Sequence, residues 1–223
     1  MKVISLASAK GGASKSTMTL HLAVAATEAG LKTAIIDTDP QGTLGKWWNE
    51  RKAETPAMAS GAISMLANTL GSLDKDLYDI VFIDTPPQTT ASIGAVIALS
   101  DLILIPVRPS LADLWSVGST IDIARKHSKP FAFILAQATR GATITTQTMA
   151  ALSEHGPVTG VMHHRVGYAA ILGSGEALSE QEPRSQGAKE MAGIWANVLP
   201  RLNASPSARK PAKTTSKKAL IHA

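Results

Sequence analysis

The sequence predicts a single α/β domain, with a mostly parallel twisted sheet flanked by helices on both faces. Short apolar runs alternate with longer segments of helical periodicity over most of the 223 residues. Most of these runs are apolar at every position, which is typical of strands whose two faces are both buried. Because strands that alternate with helices are usually parallel and joined by right-handed crossovers, one layered sheet explains the whole pattern.

Six apolar runs are the predicted strands, and the segments between them are the predicted helices. The strands are expected at 3–7, 33–36, 80–83, 102–107, 131–136 and 158–162. The helices are expected at 15–29, 43–51, 63–73, 90–99, 111–127, 143–153 and 185–202. In the last helix the apolar residues recur every three or four positions and form one stripe. We interpret this stripe as the face that docks on the sheet, and a membrane-binding face is the alternative.

The charge is concentrated at the C-terminus. The net charge is +5, and the segment 203–223 contains five basic residues and no acid. The remainder, 1–202, is neutral and carries the whole periodic pattern, so it is the predicted domain. Ser, Pro, Ala, Lys and Thr dominate 203–223 without periodicity, which predicts a disordered basic tail. Such a tail suits an anionic partner such as nucleic acid or a membrane surface, and a solvated chain end is the alternative.

The composition also excludes several kinds of site. The sequence contains no cysteine, which excludes disulfides, thiolate zinc sites, iron–sulfur clusters and a cysteine nucleophile. No secretory signal and no apolar run of about 18 residues is visible, so neither export nor a transmembrane helix is predicted. These features suit the reducing cytosol.

The stretch between the first predicted strand and the first predicted helix is rich in small residues and lysine. It reads Ser-Ala-Lys-Gly-Gly-Ala-Ser-Lys-Ser-Thr over positions 8–17. A loop at this place directs backbone N–H groups and a helix N-terminus at an anion, and its glycines let the backbone approach phosphates closely. We expect Lys15 to reach the β- and γ-phosphates of a nucleotide and the Ser16 hydroxyl to bind Mg²⁺. The match to the general pattern G-x-x-x-x-G-K-[ST] is incomplete at Ala9 and Ser14, so a chance glycine-rich turn is the alternative.

The spacing of lysines and glycines in this loop resembles the deviant Walker A motif, K-G-G-x-x-K-[ST], of the ParA/MinD family of P-loop ATPases. The resemblance implies ATP and Mg²⁺ as cofactors. It also implies that Lys10 reaches across a dimer interface to phosphates held by the other subunit. The residues expected to bind the nucleotide are Lys10, Gly11, Gly12, Ala13, Ser14, Lys15, Ser16 and Thr17.

Two acidic segments stand where the same family needs them. The run Asp-Thr-Asp-Pro-Gln at 37–41 ends the second predicted strand and resembles the family's D-x-D-P-Q segment. There Asp39 is expected to orient or activate the attacking water and Asp37 to lie near the metal without touching it, and an Asp-Pro turn that caps a helix is the alternative. Four apolar residues followed by Asp84 have the Walker B form, in which Asp84 holds Mg²⁺ through water. Acids at the carboxyl ends of parallel strands face the crevice where ligands bind.

A fourth segment, Ile-Pro-Val-Arg-Pro-Ser-Leu-Ala-Asp at 105–113, resembles the family's I-P-x-x-P-s-x-x-D pattern near the nucleotide and the dimer interface. Asp113 is expected to cap or to pair there. The resemblance covers roughly residues 2–200. It is closest to small plasmid-partition and cargo-positioning ATPases, which begin directly at the first strand without a helix-turn-helix domain.

Two features depart from the family pattern. Ser14 replaces the usual glycine before the catalytic lysine. If that position needs a positive φ, the serine costs roughly 1 kcal/mol or more, and we expect weaker ATP binding or slower hydrolysis. The segment at 136–140, where the family contacts the base, does not identify an adenine contact.

The resemblance implies an ATPase that hydrolyses ATP to ADP and phosphate, slowly without a partner, with Lys10, Lys15 and Asp39 as catalytic residues. It implies a cytoplasmic, nucleoid-associated homodimer that forms with ATP, binds DNA non-specifically without stable membrane insertion, and is released when a centromere-binding or cargo-adaptor protein stimulates hydrolysis. The expected DNA-binding residues are Arg165, Arg184, Lys189, Arg201, Lys210, Lys213, Lys217 and Lys218. The alternatives are an ATP-dependent ligase of the dethiobiotin or cobyrinate synthase type and a DNA-tethered scaffold that Ser14 has made catalytically poor.

Overall fold

A parallel sheet lies at the centre of the computed structural model, which describes residues 1–59, 61–87 and 91–204. Its strands are β1 (Lys2–Leu6), β2 (Thr33–Asp37), β3 (Ala57–Ala59), β4 (Ile80–Asp84), β5 (Leu102–Val107), β6 (Phe131–Ala138) and β7 (Val158–His163). They are arranged in the order β3-β2-β4-β1-β5-β6-β7, and every neighbouring pair is parallel.

Helices connect the strands and cover both faces of the sheet. They are α1 (Lys15–Glu28), α2 (Thr43–Glu50), α3 (Leu66–Lys75), α4 (Ala91–Leu99), α5 (Leu111–Lys126), α6 (Thr143–Ser153), α7 (Val166–Ala170), α8 (Leu178–Gln181) and α9 (Gln186–Ala204). A 3₁₀ turn at Ile63–Met65 leads into α3, and another at Ile171–Gly173 follows α7.

The predicted α/β class with a parallel sheet is confirmed, and all six predicted strands are present. Sequence analysis missed β3, α7 and α8, because three to five residues are too few to show a hydrophobic period. The last helix extends two residues beyond its predicted end, so Asn203 and Ala204 are helical. The rest of the predicted tail, 205–223, lies outside the described residues.

The strands are buried on both faces, as their uniformly apolar sequences predict. In β1, Ile4 and Leu6 pack in the cluster that α1 and α9 cover, whereas Val3 packs in a cluster on the opposite face. The α9 stripe docks on this sheet, and the ring of its Trp195 lies 6.0 Å from that of Phe82. Replacing such a buried aromatic side chain by alanine typically costs about 3–5 kcal/mol. No helix in the described part of the chain is both long enough and apolar enough to cross a membrane.

The register of the central strands brings the predicted acidic residues together. Leu6, the last residue of β1, pairs with Asp84 at the end of β4. Asp37, at the end of β2, pairs with the same Asp84. Because all strands are parallel, the loops after β1, β2 and β4 open at one edge of the sheet, which is where a ligand site is expected.

Candidate nucleotide-binding site

The loop between β1 and α1 has the backbone of an anion-binding loop. Gly12 and Ser14 adopt left-handed conformations, with φ of 70° and 67°. α1 starts at Lys15, and its first turn contains no acidic residue. Because the first N–H groups of a helix have no acceptor within the helix, this turn is suited to phosphate oxygens. The φ of Ser14 is the conformation that costs a serine about 1–2 kcal/mol.

Lys15 is buried between the loop and two acids. Its Nζ lies 3.5 Å from the carbonyl oxygen of Lys10. Burial lowers the pKa of Lys15, whereas Asp84 and Asp39 act in the opposite direction. A buried ammonium group gains from an anionic partner, so this lysine is placed to bind phosphate.

The Walker B aspartate and the loop serine form the candidate metal site. The Ser16 hydroxyl donates to Oδ2 of Asp84 over 2.5 Å. Burial raises the pKa of Asp84 to about 7, and the bond from Ser16 opposes this. Oδ1 of Asp84 is buried and has no hydrogen-bond partner among the described residues. A hydroxyl and a carboxylate oxygen are donors that Mg²⁺ accepts, and a cation would offset the burial of the carboxylate, so these residues fit Mg²⁺.

The D-x-D segment holds the start of α2. Oδ1 of Asp37 accepts the N–H of Asp39 at 3.0 Å, and Oδ2 accepts the N–H of Gly45 at 3.1 Å. Burial raises the pKa of Asp37, and these backbone bonds oppose the shift. Asp37 therefore caps a helix, and its predicted place near the metal stays a prediction. Asp39 is left at the mouth of the crevice, where Oδ1 accepts the N–H of Gln41 at 2.9 Å.

A crevice of about 350 Å³ lies along the loop and Asp39. Its lining includes seven of the eight predicted loop residues and one predicted acid: Gly11, Gly12, Ala13, Ser14, Lys15, Ser16, Thr17 and Asp39, with Lys10 outside it. A second crevice of about 200 Å³ shares Ser14, Thr17 and Gln137 with the first. The two crevices adjoin, and together they extend from the phosphate loop to the end of β7.

A family model described as the CobQ/CobB/MinD/ParA nucleotide binding domain matches residues 4–178. The chain belongs to this family. The match includes the phosphate loop, both acidic segments and the strands that bring them together. The sequence-based assignment to the ParA/MinD family is thereby confirmed.

Sequence matches to individual relatives cover about half of the chain, whereas superpositions on solved structures cover most of it. The chain is 31% identical over 131 residues to the maintenance of carboxysome distribution protein A of Halothiobacillus neapolitanus, and the match covers 56% of this chain and 59% of that protein. A plasmid partition protein of Borrelia burgdorferi, solved bound to AMPPNP, superposes with a TM-score of 0.75 at 20% identity over 90% of this chain and 99% of its own. MinD of Pyrococcus horikoshii, complexed with Mg-ADP, superposes with a TM-score of 0.74 at 18% identity. That superposition covers 88% of this chain and 95% of MinD. The chain spans 49–59% of the length of the curated relatives it matches.

Sequence analysis of this family member did not single out Arg108. A Cβ on Gly12 would lie 3.8 Å from Nη1 of Arg108. Nε and Nη2 of the same guanidinium donate to Asp113 at 2.9 and 3.1 Å. Burial raises the pKa of Asp113, but bonds from Arg108 and Ser110 outweigh it and hold the pKa below its usual range. Asp113 thus pairs with Arg108 of the same chain, and its predicted place at the dimer interface stays a prediction. The missed signal was the arginine inside the segment 105–113.

Gln137 is a second residue that sequence analysis did not assign. It lies in the segment 136–140, and its Nε2 donates to the carbonyl of Gly12 at 2.9 Å. The loop and the end of β6 are 125 positions apart in sequence, so no local pattern reports this contact.

Of the predicted DNA-binding residues that the structure describes, Arg165 packs near the start of α9 and Arg201 lies near its end. Arg165 lies beside the second crevice and is paired with Glu190, which also accepts from Nδ1 of His163 at 2.9 Å. Lys189 and Arg201 are exposed on α9 but about 18 Å apart along its axis. Arg184 is exposed just before α9. Four predicted residues lie outside the described part of the chain: Lys210, Lys213, Lys217 and Lys218.

Proposed function

We propose that this chain is a ParA-type ATPase that binds ATP with Mg²⁺ and positions DNA or another large cargo. The observation that carries the proposal is the meeting of Lys15, Ser16 and Asp84 beside a loop that also contains Lys10. Relatives support it, since one is named for carboxysome distribution, one for plasmid partition with AMPPNP, and one was solved with Mg-ADP.

In phosphoryl transfer to water, each of these residues has a separate role. Ser16 and Asp84 would hold Mg²⁺, which supplies positive charge to the β- and γ-phosphates when bound. Lys15 neutralises charge that develops as the bond between the γ-phosphorus and the ADP oxygen breaks. Asp39 orients the water whose oxygen forms the new bond to phosphorus, and the products are ADP and phosphate. Lys10 adds its charge from the other subunit of the dimer.

Dimer formation links this chemistry to DNA in the proposal. ATP held between two subunits favours a dimer, and the dimer binds DNA non-specifically through its phosphates, so binding falls as salt rises. Exposed Arg184 and Lys189 support this more directly than Arg165, whose charge is paired with Glu190. A partner protein on the cargo then stimulates the slow hydrolysis and releases the dimer in the cytoplasm.

A metabolic ligase is the second candidate, because the family model also covers CobQ and CobB proteins. Such an enzyme activates a carboxylate with ATP and needs a pocket for it beside the nucleotide. It predicts turnover that depends on a small acid and not on DNA. The ParA-type function predicts the reverse.

The deciding measurement is DNA binding without nucleotide and with ADP, ATP or a slowly hydrolysed ATP analogue, at low and moderate salt. Binding that requires ATP or the analogue and weakens with salt supports the proposal. Binding indifferent to nucleotide assigns the affinity to basic residues alone, and no binding favours the ligase.

Lys10→Ala is expected to abolish dimer-dependent hydrolysis. The charge-matched control is Lys75→Ala, which removes an exposed lysine on α3. Hydrolysis by Lys10→Ala at the wild-type rate contradicts the role of Lys10 between subunits.

A further inference from the structure

Two residues at the carboxyl end of the sheet share an uncommon backbone conformation and are bonded to each other. Ser14 has φ 67° and Gln137 has φ 53°, both in the region that favours glycine. Nε2 of Gln137 donates to the Ser14 hydroxyl at 2.8 Å and to the carbonyl of Gly12 at 2.9 Å. One side-chain amide therefore bonds to the loop on both sides of Ala13.

An irregularity in β6 directs Gln137 at the loop. Between the pairs Leu135–Val161 and Ala138–His163, β6 has one residue more than β7, so its register shifts. Regular alternation would place residue 137 on the face of Phe133 and Leu135, away from the cluster that α1 covers. A bulge that redirects a side chain is a recurrent feature beside functional sites.

The Ser14 hydroxyl is used for this contact and not for its own helix. Ser14 stands at the N-cap of α1, but among the described residues its side chain makes no capping bond to that helix. Its oxygen accepts from Gln137 instead. The hydrogen bond offsets the strain of a serine at a position where the family pattern has glycine, since glycine would adopt this conformation without assistance.

The contact lies where the two crevices meet. Ser14 and Gln137 line both the phosphate crevice and the neighbouring one. A change in the loop at this point alters the direction of the N–H groups that follow it, and those groups are the ones available to phosphate.

We infer that Gln137 is a positioning residue of the phosphate loop, which holds Ser14 in the left-handed conformation and so sets the affinity for nucleotide. Ser14 and Gln137 act as a unit, and the unit compensates for the missing glycine. The inference rests on the proposed nucleotide binding, but it concerns a separate property, the dependence of affinity on this pair.

The test measures ADP affinity by titration calorimetry in four proteins: wild type, Gln137→Leu, Ser14→Ala and Ser14→Gly/Gln137→Leu. Gln137→Leu is expected to weaken ADP binding about tenfold, because it removes both bonds while Ser14 stays strained. Ser14→Ala keeps the strain and removes one bond, so about a threefold loss is expected. In the double variant glycine no longer needs the bond, and the affinity is expected to return to within about threefold of wild type.

Unfolding midpoints without nucleotide separate this role from a general loss of structure. Recovery of ADP affinity in the double variant, with an unfolding midpoint no lower than that of Gln137→Leu and no higher than that of the wild type, supports the inference. Wild-type affinity in both Gln137→Leu and Ser14→Ala overturns it. Weak binding by Gln137→Leu that glycine at position 14 does not restore also overturns it, because Gln137 then acts on the nucleotide directly. Absence of ADP binding by the wild type contradicts the proposed function itself and is recognised before any variant is compared.

Discussion

The two ends of the parallel sheet contain the same unusual backbone conformation but stabilise it differently. In the described part of the chain, the non-glycine residues with left-handed φ are Leu77 and Ser128 at the amino end and Ser14 and Gln137 at the carboxyl end. At the amino end the strain lies just beyond a helix C-terminus. At the carboxyl end it lies beside the phosphate loop.

At the amino end, backbone hydrogen bonds stabilise the left-handed residues. Leu77 follows α3, and the N–H of Tyr78 returns to the carbonyl of Leu73 at 3.1 Å. Ser128 follows α5, and the next N–H returns to the helix in the same way, over 2.9 Å. This is the usual hydrogen-bond pattern that terminates a helix, and it does not depend on the side chain.

At the carboxyl end, a side-chain hydrogen bond stabilises the left-handed residues. Ser14 and Gln137 depend on their bond to each other, and one oxygen of Asp84 has no partner among the described residues. Strain and unmatched polar groups are retained where a ligand completes the site. Equal backbone geometry at the two ends therefore has unequal consequences, and matched substitutions test this.

The largest expected effect separates two lysines. Burial lowers the pKa of both Lys15 and Lys129, and a nearby acid opposes the shift in each case. Lys15→Gln removes the charge that faces phosphate, so ATP turnover is expected to fall at least about 100-fold. Lys129→Gln, at the amino end, is expected to leave turnover within about twofold of wild type in the same phosphate-release assay. Equal losses in both variants contradict the division between the two ends.

The next effect separates two buried aspartates. Asp101 accepts the N–H of Val3 at 2.8 Å, whereas Asp84 faces the candidate metal site. Asp101→Asn is expected to lower the free energy of unfolding by about 1–3 kcal/mol and to leave the Mg²⁺ dependence of ADP binding intact. Asp84→Asn is expected to abolish that dependence and to preserve stability, because it removes a poorly compensated buried carboxylate. Urea unfolding and ADP titration with and without Mg²⁺ measure both properties, and an Asp84→Asn protein that still responds to Mg²⁺ contradicts the metal assignment.

Between the two ends, a buried histidine links α1 to α8 and predicts a pH effect. Nδ1 of His21 donates to the carbonyl of Thr17 at 2.7 Å, and Nε2 accepts the N–H of Leu178 at 3.2 Å. Burial lowers the pKa of His21 to about 4, although Thr17 and Glu180 oppose it. In the unfolded chain His21 therefore becomes protonated near pH 6.5, whereas in the folded chain it stays neutral until about pH 4. Its contribution to stability is complete above pH 6.5 and falls between pH 6.5 and 4, by about 2 kcal/mol at pH 5.

The matched control for this pH effect is His21→Gln, whose amide can donate and accept but does not titrate. The difference in unfolding free energy between the two proteins is expected to shrink as the pH falls from 7.5 to 5. Groups that both proteins share cancel in this difference. A difference that is constant with pH shows that His21 does not titrate in this way.

The smallest expected effect is that of glycine at the two left-handed positions of the amino end. Ser128→Gly and Leu77→Gly relieve left-handed strain and increase the entropy of the unfolded chain, so a net gain of about 0.5–1 kcal/mol is expected. Neither is expected to change ADP affinity, because the backbone holds both turns. Urea unfolding together with ADP titration checks this. A loss of stability in both variants shows that these turns are not strained.

Much of the site could be predicted because its parts are contiguous in sequence. The loop at 8–17 and the acids at positions 37, 39 and 84 each follow a strand whose apolar run is evident, and parallel strands bring their carboxyl ends to one edge. Sequence analysis considered a positive φ at Ser14 only as a condition, and the structure shows that Ser14 has one. Asp37 shows the limit, because the same strand-end pattern fits an acid near a metal and an acid that caps a helix. Its Oδ2 accepts from Gly45 in the first turn of α2, and its Oδ1 accepts from Asp39 in the loop before that helix.

The sequence by itself determined the fold class, the family, the phosphate loop and the order of its acidic partners, because hydrophobic periods and short motifs act over a few residues. Only the tertiary structure decided that Gln137 supports Ser14 and that Arg108 lies beside Gly12. Those contacts join positions about a hundred residues apart, and they depend on a bulge in β6 and on strand neighbours that no local period encodes. The physical reason is that side-chain bonds across a sheet edge are fixed by packing in space, whereas helices, strands and loops are fixed by neighbours along the chain.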